Sequence, residues 1–201
     1  MREIDPKSIT PHESYRLMIG AVVPRPIAWV STVNAAGQGN LAPFSFFGAV
    51  TSDPPTLVLS VSPRDGRVKD TTANLLATGE AVIHIPTRTL AERMVATSAE
   101  VPPEVDEFAL AHLTKAASRK VKPPRIAEAP IAMEAKVVQH QKVGHAPVDM
   151  FMLEVVYWHV DEAVLKHDRI DAHALAAIGR LGGLSYCDTA VTFELERPGR
   201  S

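Results

Sequence analysis

Most hydrophobic positions in this chain fall in short runs bounded by turn-forming residues. Near the start, Thr10-Pro11-His12-Glu13 places a capping hydroxyl, a first-turn proline and a third-position glutamate ahead of Tyr15, Leu17, Met18 and Ile19. That pattern predicts a short helix ending near Gly20. After Pro24-Arg25-Pro26, the β-branched and aromatic run Ile27 to Val33 predicts a strand, and Asn34-Ala35-Ala36-Gly37-Gln38-Gly39 turns the chain into Leu41 to Phe47, giving a hairpin. Ser52-Asp53-Pro54-Pro55 breaks the chain again before a third strand from Thr56 to Ser62. Three strands in succession argue against a βαβ arrangement.

The next segment reads as a helix capped by Asp70, with Ala73, Leu76 and Ala77 at helical spacing and Gly79 as its C-terminal stop. Ala81 to Ile85 predicts a strand, and Thr89 to Ala99 a helix stopped by Val101-Pro102-Pro103. A long loop follows Phe108 and carries Arg119, Lys120, Lys122, Pro123, Pro124 and Arg125, read as a solvated basic loop. Ile131, Met133, Ala135 and Val137 alternate with Glu134 and Lys136, the period of a strand with one buried face; Asp149 to Val160 is apolar on both faces. The second of these suggests a barrel wall covered from outside. Thr189 to Leu195 supplies a final strand. With at least seven strands, three short helices and no internal repeat, the expected fold is mainly β, an antiparallel barrel with peripheral short helices.

Composition narrows the function. The 201 residues, 46% hydrophobic and 22% charged, suit one globular domain over residues 1–201, with its core at about 12–196. The formal net charge of -2 offers no excess of positive charge for nucleic acid or an anionic membrane. Met1 to Thr10 lacks the apolar centre of a signal peptide, and Arg25 and two prolines interrupt Ile19 to Val33, so a cytoplasmic location is expected. Cys187 is the single cysteine and can form no intrachain disulfide; it reads as a packed or incidental thiol.

The nucleotide-binding glycine motifs, HExxH, CxxC and GxSxG are all missing, and the eight histidines have no metal-ligand spacing, so no metal site is expected. What remains is a group of polar residues at strand ends. Ser31, Thr32, Asn40, Ser45, Ser60 and Ser62 lie in or beside apolar strands, and Arg64, Arg67, Lys69, Asp70, Thr71 and Thr72 lead into a helix. Free N–H groups, hydroxyls and a lysine at a helix start make an anion site. The same residues also read as an ordinary first turn preceded by a solvated loop.

Several blocks taken together carry a family resemblance. Val23-Pro24-Arg25-Pro26-Ile27-Ala28-Trp29-Val30-Ser31-Thr32, Asn40-Leu41-Ala42-Pro43-Phe44-Ser45-Phe46-Phe47, Ser52-Asp53-Pro54-Pro55, Arg67-Val68-Lys69-Asp70-Thr71-Thr72-Ala73-Asn74, Lys122-Pro123-Pro124-Arg125, and Gly179-Arg180-Leu181-Gly182-Gly183 with Tyr186 follow one another in the order of the flavin reductase-like family. The chain resembles that family, with its FMN-binding split barrel, over roughly residues 12 to 196.

The resemblance implies an FMN cofactor, with FAD possible, and a homodimer with flavin near the subunit interface. It implies that Ser31, Thr32, Asn40, Ala42, Phe44 and Ser45 lie along the ring and ribityl chain. Ser60, Ser62, Lys69, Asp70 and Thr71 would hold the phosphate end, with Asp70 capping the helix and orienting Lys69. Arg180 and Tyr186 would border the nicotinamide or acceptor side, and the Gly179 to Gly183 turn would approach the flavin. The expected activity is hydride transfer from NAD(P)H to flavin, with no catalytic acid or base required and a monooxygenase as a possible recipient of the reduced flavin. An FMN-binding electron-transfer protein fed by a protein partner, or an oxidoreductase for another small substrate on the same fold, are the alternatives.

Overall fold

A computed structural model describes residues 1–196 and 198–199. Its centre is a seven-stranded antiparallel sheet. From one edge to the other the strands are Gly39–Phe44, Ala28–Val33, Glu80–His84, Ile131–Val143, Val148–Val160, Pro55–Val61 and Phe47–Ser52. The sheet curls, so that Phe44 from one edge strand packs in the same core as Leu57, Leu59 and Val61 near the other. Val30, Ile83, Met133, Phe151 and Leu153 complete that interior. A second apolar cluster lies outside the sheet, where Trp29 and Leu41 meet Met94, Phe108 and Ile126 from the covering helices and loop. Both faces of Ala28–Val33 are therefore buried along its whole length.

Local chemistry places the first elements as the sequence leads one to expect. Thr10 Oγ1 accepts from the Glu13 amide at 3.2 Å while the Glu13 carboxylate accepts from the Thr10 amide at 2.8 Å, and the helix runs Pro11–Ala21. Asn34 Oδ1 accepts from the amides of Ala36 and Gln38 and closes the first hairpin, with Gly37 at φ 82°. Gly79, at φ 67° and ψ 12°, ends the helix Asp70–Thr78.

Other expectations need correction. Leu41 to Phe47 is not one strand: the chain bends at Ser45 and Phe46, and Phe47–Ser52 pairs instead with Pro55–Val61 as a separate hairpin. The helix expected over Thr89 to Ala99 is a 3₁₀ turn, Arg88–Leu90, followed by Ala91–Ala96; the hydroxyls of Thr97 and Ser98 then bond back to the carbonyls of Met94 and Val95 and close it early. Lys69, not Asp70, occupies the N-cap of Asp70–Thr78, and no side chain caps that helix. Thr189 to Leu195 is not a strand. The last strand is Tyr186–Asp188, paired with Ile178–Arg180, which pairs in turn with Arg25–Pro26. Beyond it Val191, Phe193 and Leu195 are 92%, 83% and 81% exposed, with no ladder partner among the described residues to turn their alternation into a sheet.

The long strand Ile131–Val143 also departs from simple alternation. Its first five residues are all buried, Glu134 included. The basic loop keeps Arg119, Lys120 and Lys122 exposed, as expected, but its backbone folds over this strand: the Glu134 carboxylate accepts from the amides of Arg119, Lys120 and Val121 and bonds His159 Nε2 at 2.6 Å. Burial alone would raise the pKa of this carboxyl; the bonds from His159 and from the Arg119 and Lys120 amides outweigh it and hold the group below its ordinary range. No described helix is long and apolar enough to cross a membrane.

Candidate functional site

The Asp70–Thr78 helix packs against the two strands of the first hairpin through side-chain amides. Asn40 Nδ2 donates to Thr71 Oγ1 at 2.9 Å and lies 3.4 Å from Thr32 Oγ1, which also receives Asn74 Nδ2 at 3.0 Å. All four residues are buried. The network fixes the helix start at the end of Gly39–Phe44. Since Thr71 Oγ1 accepts from Asn40, its own proton is left to donate elsewhere.

That helix start forms one wall of a cleft of about 460 Å³, a size suited to a small-molecule site. Asn40, Ala42 and Phe44 line it from the hairpin, Lys69, Asp70 and Thr71 from the helix start, and Arg64 and Arg67 from the preceding turn. Residues 97–101 form a further wall, with Glu107 beside Asn40 and Thr71 in the lining. Because no side chain caps the helix, its first-turn N–H groups keep their donor capacity at this cleft. Among the described residues Arg64 pairs with Glu100 at 3.1 Å, whereas Lys69 and Arg67 have no carboxylate partner.

Lys69 is half-buried, with its ammonium 5.4 Å from the centroid of the Phe44 ring. Burial, and next the nearby Arg64 charge, lower its pKa from the ordinary lysine value, while Glu100 opposes them. Glu107 sits below the surface, accepting from the Leu41 amide at 3.2 Å; burial raises its pKa, against the opposing effect of its backbone bonds. Nothing in the local sequence marked Glu107 as part of this wall, because its place depends on a helical turn, Glu107–Leu110, that reaches back over Gly39–Phe44.

A second cleft, of about 380 Å³, shares Pro43, Phe44, Arg64 and Ser98 with the first. Ser45, Arg25, Arg180 and Tyr186 line its far side. Arg25 is 6% exposed and donates to the carbonyls of Ile19 (2.7 Å), Val22 (3.1 Å) and Leu181 (3.1 Å) and to Ser45 Oγ (3.4 Å). It thereby ties the end of the first helix to the hairpin and to the segment after Ile178–Arg180. The Arg180 guanidinium lies 4.4 Å from the Tyr186 ring centroid and donates to the Gly183 carbonyl at 2.6 Å. A third, wider hollow of about 930 Å³ shares Val95 and Tyr186 with the second and contains Cys187.

The thirteen expected site residues thus divide. Asn40, Ala42, Phe44, Lys69, Asp70 and Thr71 meet at the first cleft, and Phe44, Ser45, Arg180 and Tyr186 at the second. Thr32 stands behind the first as a support through Asn40 and Asn74. Ser31 is fully buried, and its Oγ has no hydrogen-bond partner among the described residues. Ser60 and Ser62 line neither cleft; the Ser60 amide instead donates to the Phe46 carbonyl at 2.8 Å. Asp70 makes no ion pair with Lys69 among the described residues, so it neither caps the helix nor orients that lysine. Gly179 has a structural cause of its own, since a Cβ there would stand 2.8 Å from Pro24 Cβ.

Comparison with known proteins identifies the family and the fold. The family described as "Flavin reductase like domain" matches residues 19–180. An uncharacterised protein of Halalkalibacterium halodurans is 38% identical, with 98% of this chain and 96% of the relative covered. Among solved structures, nitrilotriacetate monooxygenase component B from Bacillus cereus superposes with a TM-score of 0.93 at 35% identity, covering 97% of this chain and 98% of that one. A Shewanella frigidimarina protein described as having a split barrel domain, at 20% identity, TM-score 0.83 and complete coverage of both chains, shares the fold. With the antiparallel split barrel and the family match over residues 19–180 in agreement, the chain belongs to the flavin reductase-like family.

Proposed function

We propose that this protein binds FMN in the first cleft, with the flavin ring reaching Phe44 and Ser45 at the junction with the second, and works as an NAD(P)H-dependent flavin reductase. The observation that carries the reading is the first cleft: an uncapped helix start, an uncommitted Thr71 hydroxyl proton, and two basic side chains with no carboxylate partner among the described residues, all at one end of a groove. These groups fit a phosphate monoester. Asn40, Ala42, Phe44 and Ser45 then follow toward the second cleft and fit a ribityl chain and a flat ring, with Phe44 at the junction. When bound, FMN supplies the redox chemistry by accepting hydride from NAD(P)H. The chain's own part is to bind, orient and shield. Lys69 and the helix start hold the anionic end, the Asn40–Thr71 bond keeps the groove walls in register, and the buried strand face beneath excludes water.

A partner follows from the same reading. The similarity to a monooxygenase component B supports delivery of reduced flavin to a separate oxygenase. Phe46, Val50, Tyr157 and Trp158 are exposed apolar residues on the strands of the central sheet and its turns, and a second copy of this chain is the proposed cover for them. Light scattering that finds a monomer at micromolar concentration refutes the dimer.

The test of function is anaerobic absorbance of the purified protein with FMN, before and after addition of NADH or NADPH. Rapid loss of the oxidised flavin band supports the reductase and identifies the preferred nicotinamide. A bound flavin that stays oxidised moves the reading to electron transfer from a protein partner, and failure to bind flavin removes it.

A further inference from the structure

The second cleft carries a charge imbalance that the phosphate site does not explain. Arg25 and Arg180 are direct Cα partners in the antiparallel pairing of Arg25–Pro26 with Ile178–Arg180. Side chains at such positions lie on the same face of the ladder, and like charges placed there repel. Arg64 enters the same lining, but it is paired with Glu100 at 3.1 Å, so the unmatched charges are those of Arg25 and Arg180. No aspartate or glutamate lines this cleft, and among the described residues neither Arg25 nor Arg180 has a carboxylate within ion-pair distance.

Burial sharpens the imbalance. Arg25 is 6% exposed, and its four partners are three carbonyls and a hydroxyl, which engage four of its five N–H groups and leave its charge uncompensated. A buried charge is costly unless an opposite charge meets it. Arg180 is anchored by the Tyr186 ring, 4.4 Å away at its centroid, and by the Gly183 carbonyl, so its guanidinium is positioned before any ligand arrives. The remaining walls include the rings of Tyr15, Phe44 and Tyr186, and the space is about 380 Å³.

We propose that the second cleft is a subsite for a planar aromatic carboxylate, with the carboxylate read by Arg180 against the buried charge of Arg25 and the ring lodged among Tyr15, Phe44 and Tyr186. The carboxylate is preferred to a neutral acceptor because only an anion relieves the opposed arginines, and because a guanidinium fork matches two carboxylate oxygens. The inference deepens the flavin reading above by naming the class of molecule that the acceptor side takes, and it rests on that reading for the flavin's own place in the groove.

The experiment is isothermal titration calorimetry with benzoate, benzamide and NADH as probes, on the protein loaded with FMN and on the FMN-free chain, with FMN affinity measured separately. Benzoate is expected to bind the FMN-loaded protein at least tenfold more tightly than benzamide. Arg180→Met is expected to reduce that ratio to about one, whereas a general loosening of the fold would weaken both probes alike and leave the ratio intact. Equal binding of the two probes, binding of neither, or a ratio unchanged in Arg180→Met overturns the proposal. So does displacement of benzoate by FMN, which would assign the arginines to the flavin, or an Arg180 dependence seen with NADH and not benzoate, which would assign them to a dinucleotide phosphate. Failure to bind FMN at all removes the proposed function, and the benzoate to benzamide ratio on the FMN-free chain still decides whether this cleft reads an anion.

Discussion

Acid is expected to destabilise this protein through one histidine. His84 is fully buried, with Nδ1 2.9 Å from the Trp29 carbonyl oxygen and Nε2 2.9 Å from the Ile126 amide nitrogen. The amide can only donate, so Nε2 accepts and the single ring proton is on Nδ1, donated to Trp29. Both nitrogens are committed in the neutral form; a second proton would break the bond from Ile126 and place a charge in an apolar cluster. Burial pushes the pKa down from 6.5 to about 4; the bond to Trp29 opposes this, while the charges of Arg125 and His159 add to it. The folded state therefore binds fewer protons than the unfolded chain between these values. The stability that neutral His84 confers is fully present above pH 6.5 and is lost as the pH falls through about 4. At about 1.36 kcal/mol per pH unit, the interval is worth about 3 kcal/mol.

The loss bears on the candidate site, because Trp29 Nε1 donates to Thr97 Oγ1 at 2.9 Å and Thr97 belongs to the first cleft's wall. Urea unfolding followed by tryptophan fluorescence at several pH values between 7 and 4 measures the effect, with His84→Gln as the comparison. The variant is expected to be less stable at pH 7 but to have a shallower pH dependence, so that the gap closes by up to about 3 kcal/mol as His84 titrates. Parallel stability curves for the two proteins would refute the argument.

Three further outcomes are expected. Replacing Lys69 and Thr71 together by alanine should weaken FMN binding by about 2–4 kcal/mol, since a hydrogen bond to a charged group is worth ~1.5–3 kcal/mol and two neighbours on one phosphate contribute less than their sum; unchanged affinity by calorimetry would remove the phosphate assignment. Gly179→Ala sets a methyl 2.8 Å from Pro24 Cβ, and should cost about 1–3 kcal/mol of stability by overpacking, read as a lower Tm in thermal denaturation. Glu134→Gln exchanges an acceptor of three amides for a group with only one oxygen, and should raise hydrogen exchange at Arg119, Lys120 and Val121; protection equal to that of the unmodified chain would show that the carboxylate does not fasten this loop.

The parts of the fold legible in the sequence are those whose cause is local. Thr10 and Glu13, Asn34 and Gln38, and Gly79 each act within a few residues, and each does so where the sequence places it. Asp70 marks the boundary of that legibility. It has the chemistry of a cap and lies at a helix start, but the chain enters the helix one residue earlier, so Lys69 takes the cap position and the exposed donors remain for the cleft. Phe47–Ser52 was hidden because Leu41 to Phe47 contains no strong breaker after Pro43; the bend occurs where Arg25, distant in sequence, reaches Ser45.

What the sequence conceals most thoroughly is the burial of charge. Alternation along Ile131 to Val137 sends Glu134 to solvent, yet it is buried because a loop more than ten residues earlier brings three amides to it. Arg25 is concealed in the same way by carbonyls from Ile19, Val22 and Leu181, the last 156 residues away. The two cases then diverge. Glu134 is an anion met by a ring of donors and by His159, a complete arrangement whose consequence is structural. Arg25 is a cation met only by neutral acceptors, opposite a second arginine and beside a cleft. Among buried ions it is therefore the incompletely matched one, rather than the more perturbed one, that directs attention to a missing ligand.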